Sequence, residues 1–314
     1  MEEKKMLKLR RSYLFALPLV ALPLWGLSGY ADNILGPALS TFAVLGHTTV
    51  TNVPTSTIGG SVGVTPGTAI TGSGGIVFTS GTLQANTSIS QAAAGELTNA
   101  ITNTASGLMP PTIQLMSSEL AGLTLFPGVY SFSTNAGGFA QLTGTSANPG
   151  KLILDGQGNA NATWVFQTAS TLTTSAATTG TTPSSVVSVI NTGSGAGVFW
   201  NVGSSATIGT FSTFEGNILA LGSISMNTGA TDLCGRVLAS TGQVSLQMNT
   251  IDIGCSGILA DSNGLSGGTG STTTTGSGET GGTTSVPEPN SLLTLSAGIV
   301  VLIGGLWKNR AKAA

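Results

Sequence analysis

Charge is what this sequence is short of. Of 314 residues only 7% are Asp, Glu, Lys or Arg, and there is one histidine, His47. Most cations stand at the ends, as Lys4, Lys5, Lys8, Arg10 and Arg11, then Lys308, Arg310 and Lys312. Between Asp32 and Ser285 only Lys151 and Arg236 remain, against nine carboxylates. So few cations cannot neutralise a run of phosphates, which excludes nucleic acid and anionic membrane surfaces as partners. A β-helix polysaccharide lyase would need clustered carboxylates and an Arg base, whereas Asp155, Glu215, Asp232 and Asp252 are scattered along the chain. His47 has no partners for a triad. Gly264-Leu265-Ser266-Gly267-Gly268 fits a nucleophile-elbow pattern but has no strand or helix around it. The chain therefore reads as a non-enzyme, with no catalytic residues. Cysteine is nearly missing too: Cys234 and Cys255, 21 apart, make no zinc site, so no metal and no cofactor are expected. Aromatics are 5% of the chain, and Trp164 and Trp200 stand in apolar runs that suit a core better than a glycan platform.

In place of charge there are 46 glycines and many Thr, Ser and Asn residues. The ends read as addresses. Five basic residues precede the apolar run Tyr13–Leu27, and Gly29-Tyr30-Ala31 supplies small residues for cleavage, so residues 1–31 form a secretory signal peptide for signal peptidase. Ser262–Ser285 is a Gly/Thr/Ser tract, read as a flexible linker. Residues 286–314 hold Val286-Pro287-Glu288-Pro289, the apolar run Leu292–Trp307 as a short hydrophobic helix, and a basic tail.

The middle of the chain, 32–261, repeats. GVFWNVG from Gly197, GNILALG from Gly216 and GRVLAST from Gly235 are spaced 19 residues apart. A fixed period near 20 points to a stacked coil rather than a sandwich. Three legs of about six residues, each a short strand and a corner, predict a β-solenoid of triangular cross-section, with Gly197, Gly216 and Gly235 at corners that need glycine's backbone freedom. One segment departs from this pattern. Ser88-Ile89-Ser90-Gln91 resembles a capping box, and Ile89, Ala93, Leu97, Ala100/Ile101 and Thr104 then recur at helical spacing. A helix over 88–105 would be roughly 27 Å long, enough to cover one flank of five or six coils. On such a stack Cys234 and Cys255 fall on neighbouring rungs, within bridging distance in an oxidising compartment; two buried thiols are the alternative.

Several of these runs resemble a known family. FAVLGHTTVTN (Phe42–Asn52), GGSVGVTPGTAITG (Gly59–Gly72), LTLFPGVYSF (Leu123–Phe132), LDGQGNANATWVFQTAS (Leu154–Ser170) and the stretch Val198–Thr231 are similar to the microbial ice-binding (antifreeze) proteins. His47 stands where a small residue is expected, and Ala176–Pro183 is lengthened. The resemblance implies a right-handed discontinuous β-solenoid with one helix along its side, and adsorption to the surface of an ice crystal through a flat Thr/Ser-rich face, inhibiting ice growth and recrystallisation. It also implies a monomer. The C-terminal segment resembles the PEP-CTERM sorting signal, which implies processing by an exosortase and a place in the envelope or extracellular matrix of a Gram-negative bacterium.

Ice binding asks for stiff, uncharged side chains bearing both hydroxyl and methyl, and threonine supplies them. Some members of the family carry Thr-Ala/Gly-x-Thr/Asn on the ice face. Here it recurs at Thr68–Thr71, Thr168–Thr171, Thr179–Thr182 and Thr228–Thr231, and also inside the linker, so stacking is the better guide. Thr210 and Thr213 lie 18 residues before Thr228 and Thr231, one coil apart on one leg. Thr171 and Thr173 are expected to extend that leg and Thr250 to end it; with Thr207 these are the candidate ice-binding residues. The other reading is a matrix or adhesion module that uses the same solenoid to bind polysaccharide or other cells.

Overall fold

A computed structural model describes residues 34–178 and 182–267. The expected signal peptide, the linker beyond Gly267 and residues 286–314 lie outside the described residues. Among those described, no helix is long and apolar enough to cross a membrane.

Parallel strands stack into a coil with three faces. Seven short strands line one face in the order Ala140–Leu142, Leu172–Thr174, Ala206–Ile208, Ile224–Met226, Val244–Gln247, Thr49–Val53 and Ala69–Thr71. The long strands Thr213–Ala220 and Thr231–Ala239 bend around a corner, so the other two faces belong to one fifteen-stranded sheet. The lateral face runs through Gly150–Asp155, Ser185–Ile190, Thr213, Thr231, Thr250–Asp252, Ser56–Gly59 and Ile76–Ser80. The helix face runs through Gly128–Phe132, Thr163–Thr168, Gly197–Val202, Ile218, Val237, Phe42–Gly46 and Ser61–Val64.

The coil is discontinuous in the chain. Strand Thr49–Val53 pairs with Val244–Gln247, so the coils formed first in sequence stack upon the last. The helix, Ser88–Asn103, makes this possible by joining the two ends of the stack. Its 16 residues span roughly 24 Å. Ala93, Leu97 and Ala100 pack on Phe42, Leu45, Val165, Phe199, Leu219 and Leu238. The expected stripe is buried at Ala93, Leu97, Ala100 and Thr104 and departs only at its start, where Ile89 is half exposed and Ser90 is buried. Ser90 is inside because it completes the capping box, which is built by Thr87 and Ser90 rather than by Ser88 and Gln91. The last turn is held by amides from the helix face. Asn201 Nδ2 donates to Ile101 O at 2.8 Å, and Gln167 Nε2 donates to Thr104 O at 2.9 Å and to Met109 O at 2.6 Å. The bonds to Ile101 and Thr104 satisfy carbonyls that a helix end leaves open, and the one to Met109 ties down the chain that follows.

Inside the coil, in-register strands stack identical faces. Tyr130, Phe166 and Trp200 occupy one rung position in three consecutive coils. Their rings stack at centroid distances of 5.3 and 4.0 Å. Trp164 and Trp200 are both buried, as their apolar runs predict, and each indole N–H reaches a carbonyl, Leu125 O at 3.1 Å and Glu215 O at 3.2 Å.

The three repeating glycines serve different ends. Gly216 and Gly235 pair across adjacent coils, but Phe199 pairs with Asn217, which places Gly197 one residue out of that register. A bulge between Phe214 and Gly216 absorbs the extra residue. Only Gly216 has a positive φ, at 114°. At Gly235 the constraint is space, since a Cβ there would meet Gly216 O at 2.2 Å. Cys234 and Cys255 form a disulfide between neighbouring rungs, with Cα atoms 4.9 Å apart.

Candidate functional site

The seven-strand face presents a single outward row across its middle. Gln141, Thr173, Thr207, Ser225, Ser245, Thr51 and Thr71 are successive cross-strand partners. Their neighbours on either side point inward: Leu172, Ala206, Ile224, Val244 and Val50 are buried on one side, Thr174, Ile208, Met226, Leu246 and Asn52 on the other. This alternation is what a half-buried strand requires, and it fixes which side chains meet solvent. None of the ladders on this face contains a register shift, and none of its strands carries a charged residue. Six steps of about 4.8 Å make a row roughly 29 Å long. Glu119 closes one end of it. Its carboxylate accepts from Thr143 N at 2.9 Å, Ala121 N at 2.8 Å, Gln141 Nε2 at 3.2 Å and the Thr143 hydroxyl at 2.5 Å. Partial burial works to raise its pKa, but these donors outweigh it and hold the group below the ordinary carboxylate range.

The expected single leg is divided between faces. Thr213, Thr231 and Thr250 stack in register as predicted, and Thr57 continues their row. They lie on the lateral face. Thr173 belongs instead to the seven-strand face, where it pairs with Thr207, and Thr171 stands at the corner that leads into it. The spacing argument misassigned Thr171 and Thr173 because turns of different length separate the legs of successive coils. Thr210 and Thr228 sit at the corner between the two faces, where the Thr228 hydroxyl donates to Gln247 Oε1 at 3.0 Å. The lateral row is less even than the other. Its ladders shift register at Phe214/Gly216 and at Ile58/Gly59, and its strands carry Lys151, Asp155, Glu215 and Asp252. Ser225, Ser245 and Thr51 were missed by the sequence reading, and Thr71 was found only as the end of a motif; two are serines, and two come from the N-terminal coils that stack last.

The charged groups inside the protein gather away from the seven-strand face. Burial pushes the Glu215 carboxyl up to about 7, against the Val189 amide that donates to it at 2.8 Å. Asp232 is fully buried, and burial, then the nearby Glu215, raise its pKa well above the ordinary range despite the opposing charge of Arg236. Its neighbouring amides, those of Gly216 and Cys234, favour the ionised form, yet neither carboxylate oxygen completes a well-aligned hydrogen bond. Burial lowers Arg236 to about 9, with Asp232 opposing the shift. Among the described residues no group of three or more His, Cys, Asp or Glu side chains gathers to hold a metal ion.

The chain is thus a helix-flanked parallel β-solenoid with one outward row of mostly hydroxyl side chains across its seven-strand face. Residues 44–252 match the Ice-binding-like family, and the chain belongs to it. An ice-binding protein of Nostoc sp. (strain HG1) is 41% identical over 258 residues, 80% of this chain and 86% of that protein. One from Flavobacterium frigoris (strain PS1) is 31% identical over 68% of this chain and 73% of its own length. Among solved structures, an ice-binding protein from the Antarctic ascomycete Antarctomyces psychrotrophicus superposes with a TM-score of 0.59 at 34% identity, covering 69% of this chain and 96% of that one.

Proposed function

We propose that this protein adsorbs to ice through the row Thr173–Thr207–Ser225–Ser245–Thr51–Thr71 on the seven-strand face, and so inhibits ice growth and recrystallisation. The observation that carries the choice of face is the coincidence of a continuous register with the lack of any charged residue in its strands. A charged group keeps its own hydration shell and disorders the water next to it. Hydroxyls on a rigid ladder hold water in fixed places, and such ordered water joins a growing lattice at little further entropy cost. The stiff χ1 of Thr173, Thr207, Thr51 and Thr71 adds methyl groups at repeat spacing. Thr210 and Thr228 at the corner, and the lateral row Thr213–Thr231–Thr250, flank this surface.

Where the protein works follows from its sequence ends. Residues 1–31 direct export through signal peptidase, and 286–314 hold the protein in the envelope or matrix of a Gram-negative bacterium until an exosortase acts on them. A matrix or adhesion module is not favoured, because both solenoid tryptophans are buried and offer no sugar platform.

Partition into a slowly grown ice hemisphere tests the face. Thr207→Tyr and Ser225→Tyr should each abolish incorporation of a protein that still folds, whereas Thr231→Tyr and Thr250→Tyr should weaken it less. Loss confined to the lateral pair would move the site to the lateral face.

A further inference from the structure

The last described residues cross the coils instead of following them. Gly254 and Asn263 form an antiparallel bridge, and Gly197 and Ser266 form another. Leu265 is fully buried, and its carbonyl accepts from Val198 N at 2.9 Å and Asn217 Nδ2 at 2.9 Å. Gly267 N donates to Ala196 O at 3.0 Å. Ser262–Gly267, expected to begin the linker, is thus a strap packed over three successive helix-face strands, at the corner that adjoins the lateral face. Arg236 fastens it. Nη1 donates to Asn263 O at 3.1 Å, Gly264 O at 3.0 Å and Asn217 Oδ1 at 2.8 Å. Nη2 donates to Asn263 Oδ1 at 3.0 Å and, at the other end of the chain, to Ser40 O at 2.7 Å.

The disulfide stands immediately upstream of this strap. Cys234 lies in Thr231–Ala239, and Cys255 follows Thr250–Asp252. The closed loop contains Val244–Gln247, the strand that brings Ser245 to the seven-strand face. Tension entering at Gly267 reaches Cys255 and crosses the sulfur–sulfur bond into Cys234, so the strand carrying Ser245 stays out of the force path. The seven-strand face meets neither the strap nor its exit.

We propose that the strap, Arg236 and the Cys234–Cys255 bond form a mechanical stop, which lets the protein be pulled through the chain beyond Gly267 without stripping a strand from the hydroxyl face. Its purpose rests on the ice-binding reading; its mechanics do not. Arg236 sets the force at which the strap lifts, and the disulfide sets how far the chain peels.

Optical-tweezers pulling tests both parts, with one handle at the C-terminus and one, free of cysteine, at the exposed turn Asn159–Asn161. In the oxidised chain the first step should free residues 256–267, about 40 Å of extended chain. After reductant is added to the same molecules peeling should run past Cys255 into Thr250–Asp252 and Val244–Gln247, so that the step exceeds about 75 Å, the extended length of residues 244–267. Arg236→Met should lower the force of the first step and leave its length unchanged. If that variant does not fold, Asn263→Ala, which removes only one acceptor, should act in the same direction. Equal step lengths before and after reduction would overturn the role of the disulfide, and release at the wild-type force in the variant would overturn the role of Arg236. No ice enters the assay, so these outcomes judge the stop alone.

Discussion

Glu215 makes this fold more stable in mild acid than at neutral pH. Strand Ser185–Ile190 pairs with Thr213–Ala220 only through Val186 and Thr213, because the bulge at Phe214/Gly216 turns the longer strand away. The Val189 amide is left without a strand partner, and the Glu215 carboxylate accepts from it instead. Burial raises that carboxyl from 4.5 to about 7. Between those values the unfolded chain has lost the proton and the folded chain keeps it. The stabilisation is therefore fully present below pH 4.5 and is lost as pH rises through about 7. A shift of that size corresponds to about 3 kcal/mol, or roughly 6–12 °C in melting temperature for a domain of this length. Asp232 titrates in the same sense, because burial and Glu215 raise it as well. Glu119 and Arg236 act outside this window, the first below pH 4.5 and the second near pH 9. Glu215→Gln keeps an oxygen for the Val189 amide and cannot ionise, so melting temperatures of the variant should fall less steeply than those of the wild type between pH 5 and pH 7, what remains being the share of Asp232. A variant with the full wild-type slope would refute the assignment.

Replacing Cys234 and Cys255 by serine should cost about 3 kcal/mol, read as a lower urea midpoint, since the bond closes a loop of about 20 residues. Leu97→Ala should cost about 2–5 kcal/mol and raise hydrogen exchange along the helix first, because Leu97 fills the seam between the helix and the coil. Below pH 4.5, as the pH falls through the lowered pKa of Glu119, the end of the hydroxyl row should fray; faster exchange of the Gln141 and Thr143 amides than of the Ser225 amide would report it.

The sequence made the coil and its helix legible for physical reasons. A parallel stack repeats one set of inward positions in every turn, so Trp200, Ile218 and Val237 recur at nearly constant spacing, and a helix placed among such turns breaks the pattern visibly. The disulfide was legible because neighbouring rungs lie about one period apart. The composition of the functional face was less so. Strand Thr49–Val53 pairs with Val244–Gln247 across almost the whole domain, and no local period announces a contact of that range. The strap was hidden for another reason. Ser262–Gly267 has the small, polar composition of a linker, and its one buried anchor, Leu265, is held by an arginine that the sequence offers only as an isolated cation.

The central claim is that this surface joins ice, and partition of the protein between water and a slowly growing ice hemisphere tests it most directly. The account predicts that the folded chain is concentrated in the ice while an unrelated soluble protein in the same droplet is left in the liquid. Exclusion of the folded chain together with that control would contradict it.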